Sequence, residues 1–172
     1  MRKTLLESFT HGSLTEPAPA PDGSALAELA AKVDRAAQAR LGRSLAIREV
    51  DAGSCNGCEL EIHALENPYY NLQGAGIKFV ASPRHADLLL VTGPVSRHMV
   101  EALQRTYAAT PDPKRVVAVG DCGACGGIFG ESYASAGAVA NVIPVDVVVP
   151  GCPPTPTALL QGILAAVTAG NW

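Results

Sequence analysis

The sequence predicts an α/β protein in which a doubly wound parallel sheet lies between two layers of helices. Three observations carry that expectation. Short, nearly all-apolar runs such as Asp87-Leu88-Leu89-Leu90-Val91-Thr92 and Arg115-Val116-Val117-Ala118-Val119-Gly120 recur along the chain, and strands of that kind are covered on both faces. Amphipathic helical stretches alternate with them, the order expected of a parallel sheet. The composition, 48% hydrophobic and 17% charged over 172 residues, suits a globular domain with a full core rather than a disordered chain. Aromatics make up only 5% while Gly (17) and Pro (13) are plentiful, so the core is aliphatic and the loops are tight and shaped.

Taken in order, residues 1–23 read as an arm, because Glu16-Pro17-Ala18-Pro19-Ala20-Pro21-Asp22-Gly23 has the composition of a semi-extended linker. Residues 24–172 read as a single domain. A helix is expected to start at Ser24, a good N-cap, with Leu26, Leu29, Val33 and Ala37 as its apolar stripe and Gly42 as its stop. Leu45 to Val50 is the first strand. Gly57 to Glu66 is a short helix halted by Asn67-Pro68. Ile77 to Ala81 and Asp87 to Thr92 are the second and third strands. Ser96 is placed as the cap of a helix whose stripe is Met99, Val100, Leu103 and Tyr107. Arg115 to Gly120 and Val145 to Pro150 are the fourth and fifth strands. The last helix has Thr155 as N-cap, Pro156 at its first position and Leu159, Leu160, Ile163, Leu164 and Val167 on its buried face. The pattern is that of a flavodoxin-like domain with an N-terminal arm and helix.

Several function classes are set aside. A net charge of −3 without a long basic run argues against a nucleic-acid partner. No segment approaches the roughly 18–20 uninterrupted apolar residues of a membrane span. Met1-Arg2-Lys3 resembles the start of a signal peptide, but Glu7 and His11 interrupt the apolar stretch that follows. The expectation is therefore a cytoplasmic chain whose thiols stay reduced, and five cysteines that are metal ligands or catalytic thiols rather than disulfides.

The cysteines gain meaning from their places. Cys55 and Cys58 follow the first strand, Cys122 the fourth and Cys152 the fifth. Ligands of open parallel sheets collect beyond the carboxyl ends of the strands, so three loops distant in sequence deliver four thiols to one edge. The loops suit an inorganic cluster. Cys55-Asn56-Gly57-Cys58 presents two thiolates from one turn. Cys122 lies within Gly120-Asp121-Cys122-Gly123-Ala124-Cys125-Gly126-Gly127, where glycines let backbone N–H groups approach sulfur. Cys152 lies in Pro150-Gly151-Cys152-Pro153-Pro154, a stiff corner before a helix whose N-terminus carries partial positive charge. One [4Fe–4S] cluster held by Cys55, Cys58, Cys122 and Cys152 is the reading that accounts for all three loops, and such a cluster relays electrons.

Two other readings stand beside it. Structural zinc fits two Cys-x-x-Cys pairs, but the 63 residues between Cys58 and Cys122 far exceed zinc-ribbon spacing, and zinc leaves Cys152 unexplained. A dithiol redox pair leaves the three further loop cysteines unexplained. Cys125 is the spare, a loop thiol beside the cluster rather than a fifth ligand. His63, His85 and His98 stand alone without a partner at ligand spacing. Glu59 and Glu61 follow the first cysteine loop and read as a solvated helix face, with tuning of the potential or proton passage as the sharper alternative. The glycine-rich stretch 120–130 lacks the Lys-Ser/Thr ending of a phosphate loop.

These residues resemble the family that unites the small subunits of [NiFe]-hydrogenases with the cluster-bearing 20-kDa subunit of respiratory complex I. The resemblance runs from Leu45 to Gly170. It rests on Ser54-Cys55-Asn56-Gly57-Cys58-Glu59, Gly120-Asp121-Cys122 with Gly126-Gly127, and Pro150-Gly151-Cys152-Pro153-Pro154, supported by residues 82–87 and 91–95. The complex I subunit typically has two adjacent cysteines where this chain has Ser54-Cys55 and lacks one at Cys58, so the Cys55-x-x-Cys58 spacing resembles the hydrogenase branch. Uptake hydrogenase small subunits are larger and carry a twin-arginine signal and a C-terminal half with further clusters, so the resemblance points to membrane-bound, energy-converting hydrogenases of the formate hydrogenlyase kind. Residues 5–12 are similar to a segment those subunits use against neighbours. The resemblance implies a proximal relay, with a ferredoxin-like subunit on one side, a large Ni–Fe subunit on the other, and integral membrane subunits holding the complex to the inner face of the cell membrane. The alternative it implies is a complex I-like NADH-quinone oxidoreductase subunit whose cluster donates electrons to quinone.

Overall fold

The computed structural model describes residues 23–169; the expected arm, with the segment 5–12, lies outside them. Helix α1 (Gly23–Leu41) runs into Gly42, whose positive φ of 65° and N–H donated to Gln38 C=O (3.0 Å) end it where the sequence placed the stop. Then follow β1 (Ala46–Asp51), α2 (Gly57–Ala64), β2 (Lys78–Phe79), β3 (Leu88–Thr92), α3 (Val100–Ala109), β4 (Arg115–Val119), α4 (Gly120–Cys125), β5 (Val147–Val149) and α5 (Pro156–Thr168). Short 3₁₀ turns stand at Gln73–Ala75, Pro83–His85 and Val139–Asn141.

All the strand pairs are parallel and the order is β2-β1-β3-β4-β5. This is the doubly wound, flavodoxin-like order, in which the chain first builds outward from β1 and then reverses between β1 and β3. Side chains of the central strands alternate between two cores. Leu88, Leu90, Val117 and Val119 pack with Val33 of α1, Ile62 of α2 and Leu159 and Ile163 of α5. Leu89, Val91, Val116 and Ala118 pack on the other face with Leu103 of α3, Val139 and Ile143. A strand covered on both faces must be apolar at every position, which is why these runs show no alternation.

Four local readings change. β2 shrinks from residues 77–81 to two residues, an edge strand with one neighbour, although Val80 N–H still donates to Ile47 C=O at 2.8 Å. β5 begins at Val147 rather than Val145, because the Asp146 carboxylate accepts Val116 N–H (2.8 Å) in place of a ladder bond. Ser96 does not cap α3; its N–H is drawn to Ala52 C=O (2.7 Å) and it bridges Ser135, so the helix starts later, after Met99. Ser24 lies in the first turn of α1 rather than before it. Thr155, by contrast, caps α5 as expected, accepting Ala158 N–H on its hydroxyl at 3.3 Å.

The amino edge of the sheet is fixed by one buried carboxylate. Asp87 accepts two bonds from the Arg43 guanidinium and a third from Ala46 N–H (3.0 Å), while its backbone pairs with Ala46 and Arg115. It thereby sets where β1, β3 and β4 begin. Asp87→Ala leaves Ala46 N–H without an acceptor; we expect a loss of about 2 kcal/mol, read as a lower urea midpoint at unchanged slope.

Candidate metal centre at the carboxyl edge of the sheet

The first cysteine loop is turned by the residue that ends β1. Asp51 Oδ1 accepts Gly53 N–H (2.8 Å) and Ser54 N–H (2.9 Å), and Ser54 Oγ accepts Asn56 N–H (3.1 Å). Asn56 sits in the left-handed region at φ 73°, a conformation asparagine tolerates, and the chain enters α2 directly behind it. Cys58 is thus carried on the first turn of α2 and buried, whereas Cys55 stays on the exposed loop.

The second stretch is not an open loop but the short helix α4, entered at Gly120 (φ 77°) and left at Gly126 (φ 87°). Asp121 joins it to the third loop by two reciprocal bonds: Asp121 N–H donates to Gly151 C=O (2.9 Å), and Gly151 N–H donates to Asp121 Oδ1 (2.8 Å). Cys122 is half-buried on α4, and Cys152 is exposed on the corner after β5. A Cβ on Gly120 would lie 2.7 Å from Cys58 Sγ and 3.2 Å from Gly151 C=O. That single point touches the loops of β1, β4 and β5. A Cβ on Gly127 would likewise stand 2.8 Å from Cys122 Sγ.

The loops that carry Cys55, Cys58, Cys122 and Cys152 thus meet at the carboxyl edge of the sheet, around Gly120 and Gly151. Burial pushes the Cys58 thiol up to about 12, and Glu59 and the thiols of Cys122, Cys55 and Cys152 push it the same way. Burial also raises Cys122, helped by Cys152, Cys55, Asp121 and Cys125. Cys58 and Cys122, both raised by burial and by the neighbouring thiols, are groups whose thiolates a positively charged metal centre would favour. Among the described residues no three His, Cys, Asp or Glu are gathered to hold a single metal ion. Cys125 is turned back along α4, its Sγ donating to Asp121 C=O at 3.3 Å.

The acidic residues differ from expectation. Glu59 is not on a solvated face; it is 5% exposed and neither carboxylate oxygen has a hydrogen-bond partner among the described residues. Glu49 projects toward it from β1 on the side of α2, with its carboxyl raised chiefly by burial, against the pull of His63 at 3.8 Å. Glu61 is half-buried, and His63, His85 and His98 are exposed. Neither Glu59's burial nor the clamp of Asp121 is visible from spacing, though an acid between Gly120 and the first cysteine of α4 was a usable sign of a backbone-binding carboxylate.

Residues 55–166 match the family described as "NADH ubiquinone oxidoreductase, 20 Kd subunit". The chain is 49% identical over 127 residues to a probable membrane-bound hydrogenase subunit, mbhJ, of Pyrococcus furiosus, covering 74% of this chain and 76% of that one. It is 47% identical over 128 residues to formate hydrogenlyase subunit 7 of Escherichia coli, covering 74% of this chain but only 50% of the relative's length. Among solved structures, it resembles a chain of the membrane-bound sulfane sulfur reductase, an archaeal respiratory membrane complex, at 34% identity and a TM-score of 0.65, over 81% of this chain and 77% of that one.

The burial of Cys58 has a direct consequence for reactivity. In the metal-free chain at pH 8, iodoacetamide should modify exposed Cys55 and Cys152 well before Cys58. The Cys58 rate should then rise roughly tenfold per pH unit toward its raised value, because only the thiolate reacts. Peptide mass spectrometry of timed samples checks this, and fast alkylation of Cys58 at pH 8 would contradict it.

Proposed function

The chain belongs to the family of the 20 Kd subunit of NADH ubiquinone oxidoreductase, and on that premise we propose that it is the electron-transfer subunit of a membrane-associated [NiFe]-hydrogenase complex. One [4Fe–4S] cluster is held by Cys55, Cys58, Cys122 and Cys152. The observation that carries this reading is the meeting of the three cysteine loops around Gly120 and Gly151. The site's donor chemistry, thiols on three loops, supports it.

Such a cluster, when bound, takes up and passes on single electrons. The chain's own residues hold and shield it. Asp121 and Gly151 fix the spacing of Cys122 and Cys152, Gly120 leaves room for the Cys58 sulfur, and the β-strands behind them exclude water from one side. Cys55 and Cys152 remain exposed, which leaves the other side open to the subunit that exchanges electrons. Glu59, buried and next to Cys58 in the chain, places an acidic side chain beside the centre and raises the cost of a Cys58 thiolate.

The partners on this reading are a large Ni–Fe subunit, a ferredoxin-like iron–sulfur subunit and integral membrane subunits. No helix among the described residues is long and apolar enough to cross a membrane, so the attachment proposed is peripheral, on the cytoplasmic face of the cell membrane. The family's own description favours a second reading, in which the large counterpart lacks nickel and the cluster serves quinone.

The purified chain should be brown, absorb at about 400 nm and give a paramagnetic signal on reduction. Cys58→Ser should lose or convert the cluster and Cys125→Ser should keep it, as read by iron content and electron paramagnetic resonance; the reverse pattern would overturn the ligand set. Nickel and H₂-dependent dye reduction in the purified complex separate the hydrogenase reading from the quinone one.

A further inference from the structure

At the edge of the sheet opposite the thiols, the segments that lead into β1, β3 and β4, with the start of β2, enclose a hollow of about 370 Å³. Its wall carries Arg43, Lys78, Arg84 and His85, and two acids, Asp87 and Asp112. Both acids are already engaged. Asp87, 4% exposed, accepts two bonds from Arg43 and one from Ala46 N–H. Asp112 is paired at 3.1 Å with Lys114, which lies outside the wall. The Lys114 ammonium also donates to Thr110 C=O (3.0 Å) and stands 4.6 Å over the Tyr107 ring. Lys78 and Arg84, by contrast, have no acidic partner within ion-pair distance among the described residues. Two positive charges are thus left over in one hollow.

Uncompensated cations on a concave wall focus potential and concentrate anions. These two differ in the way that phosphate recognition uses: a guanidinium grips two oxygens through its planar fork, while an ammonium acts as a point charge. Their backbone is fixed. Lys78 N–H donates to Leu45 C=O (3.0 Å), and the turn that carries Arg84 is closed by His85 N–H to Ser82 C=O and Ala86 N–H to Pro83 C=O, each 3.1 Å. Pro111 and Pro113 make a stiff facing rim. We infer that this hollow binds a phosphate group, with Arg84 and Lys78 on its oxygens and His85 as a further polar contact. The volume leaves room for a small organic group on the phosphate, which Leu41 and Val80 would meet. A soluble phosphate ester and a phospholipid headgroup present the same oxygens here. No cysteine lines the hollow, so the inference goes beyond the electron-transfer reading and stands or falls apart from it.

The test uses the purified full-length chain at low ionic strength, titrated by calorimetry with inorganic phosphate, glycerol 3-phosphate and acetate. In parallel it is floated with vesicles of phosphatidylcholine alone or mixed equally with phosphatidylglycerol. Lys78→Gln with Arg84→Gln should weaken binding of phosphate or of the mixed vesicles roughly tenfold or more. Lys32→Gln with Arg105→Gln removes the same charge from two exposed helix pairs and should leave binding within about twofold. Iron content and circular dichroism should be unchanged in both. If the first double variant misfolds, Arg84→Gln alone carries the same expectation. Binding of the soluble phosphates identifies a phosphorylated small molecule as the source; binding of the mixed vesicles alone identifies a lipid headgroup. No binding of any probe by the folded wild-type chain overturns the inference. So does acetate binding as tightly as phosphate, or an equal loss in the two double variants.

Discussion

The carboxyl edge of the sheet depends on one junction, the reciprocal pairing of Asp121 with Gly151 beside a Gly120 that has no side chain. β4 and β5 are neighbours, so their loops leave the sheet side by side, and the two Asp121 bonds convert that adjacency into a fixed spacing of Cys122 and Cys152. β1 is not a neighbour of β4, because β3 lies between them. The first cysteine loop must therefore cross the end of β3. It does so at Gly53, where a Cβ would lie 3.0 Å from Pro94 C=O, and it delivers Cys58 Sγ into the space that Gly120 leaves. Without that space the first cysteine loop could not join the other two.

This arrangement divides the thiols by environment. Cys58 is enclosed between α2, Gly120 and the sheet, while Cys55 and Cys152 face outward. Enclosure makes the bare Cys58 thiolate costly, and a cationic centre removes that cost, so metal binding and correct packing of the edge reinforce each other. Charge is also distributed along the strands. Glu49, Asp51, Glu59 and Asp121 lie toward the carboxyl edge, whereas at the amino edge the acids Asp87 and Asp146 are paired with Arg43 and Arg115. A buried carboxylate as bare as Glu59 is costly to hold, and its place directly after Cys58 puts it where it acts on that sulfur's charge.

Much of the fold was legible because its signals are local. β3 and β4 announce themselves as continuous apolar runs, since each of their side chains enters one of two cores. α5 carries its own start signal in Thr155 and Pro156, and α1 its stop in Gly42. The misread boundaries all lie where a distant partner competes with a local preference. Ser96 has a cap's side chain, but its backbone is claimed by Ala52 and its bridge to Ser135. Val145 and Asp146 are followed by strand residues, but the Asp146 carboxylate takes the bond that would have lengthened β5.

By itself the sequence determined the alternation of strands and helices and the loops on which the cysteines lie, because hydrophobic period, capping residues and glycine placement act within a few residues. Its parallel order then required Cys55, Cys58, Cys122 and Cys152 to share one edge. Only the tertiary structure decided which thiol is enclosed, that Glu59 is buried rather than solvated, that Asp121 clamps Gly151, and that Ile128 and Tyr133 stand clear of the core. Burial is the sum of what all the other elements bring to a position. Glu59 looks solvated beside its own neighbours in α2, and becomes enclosed only when that helix is laid against β1.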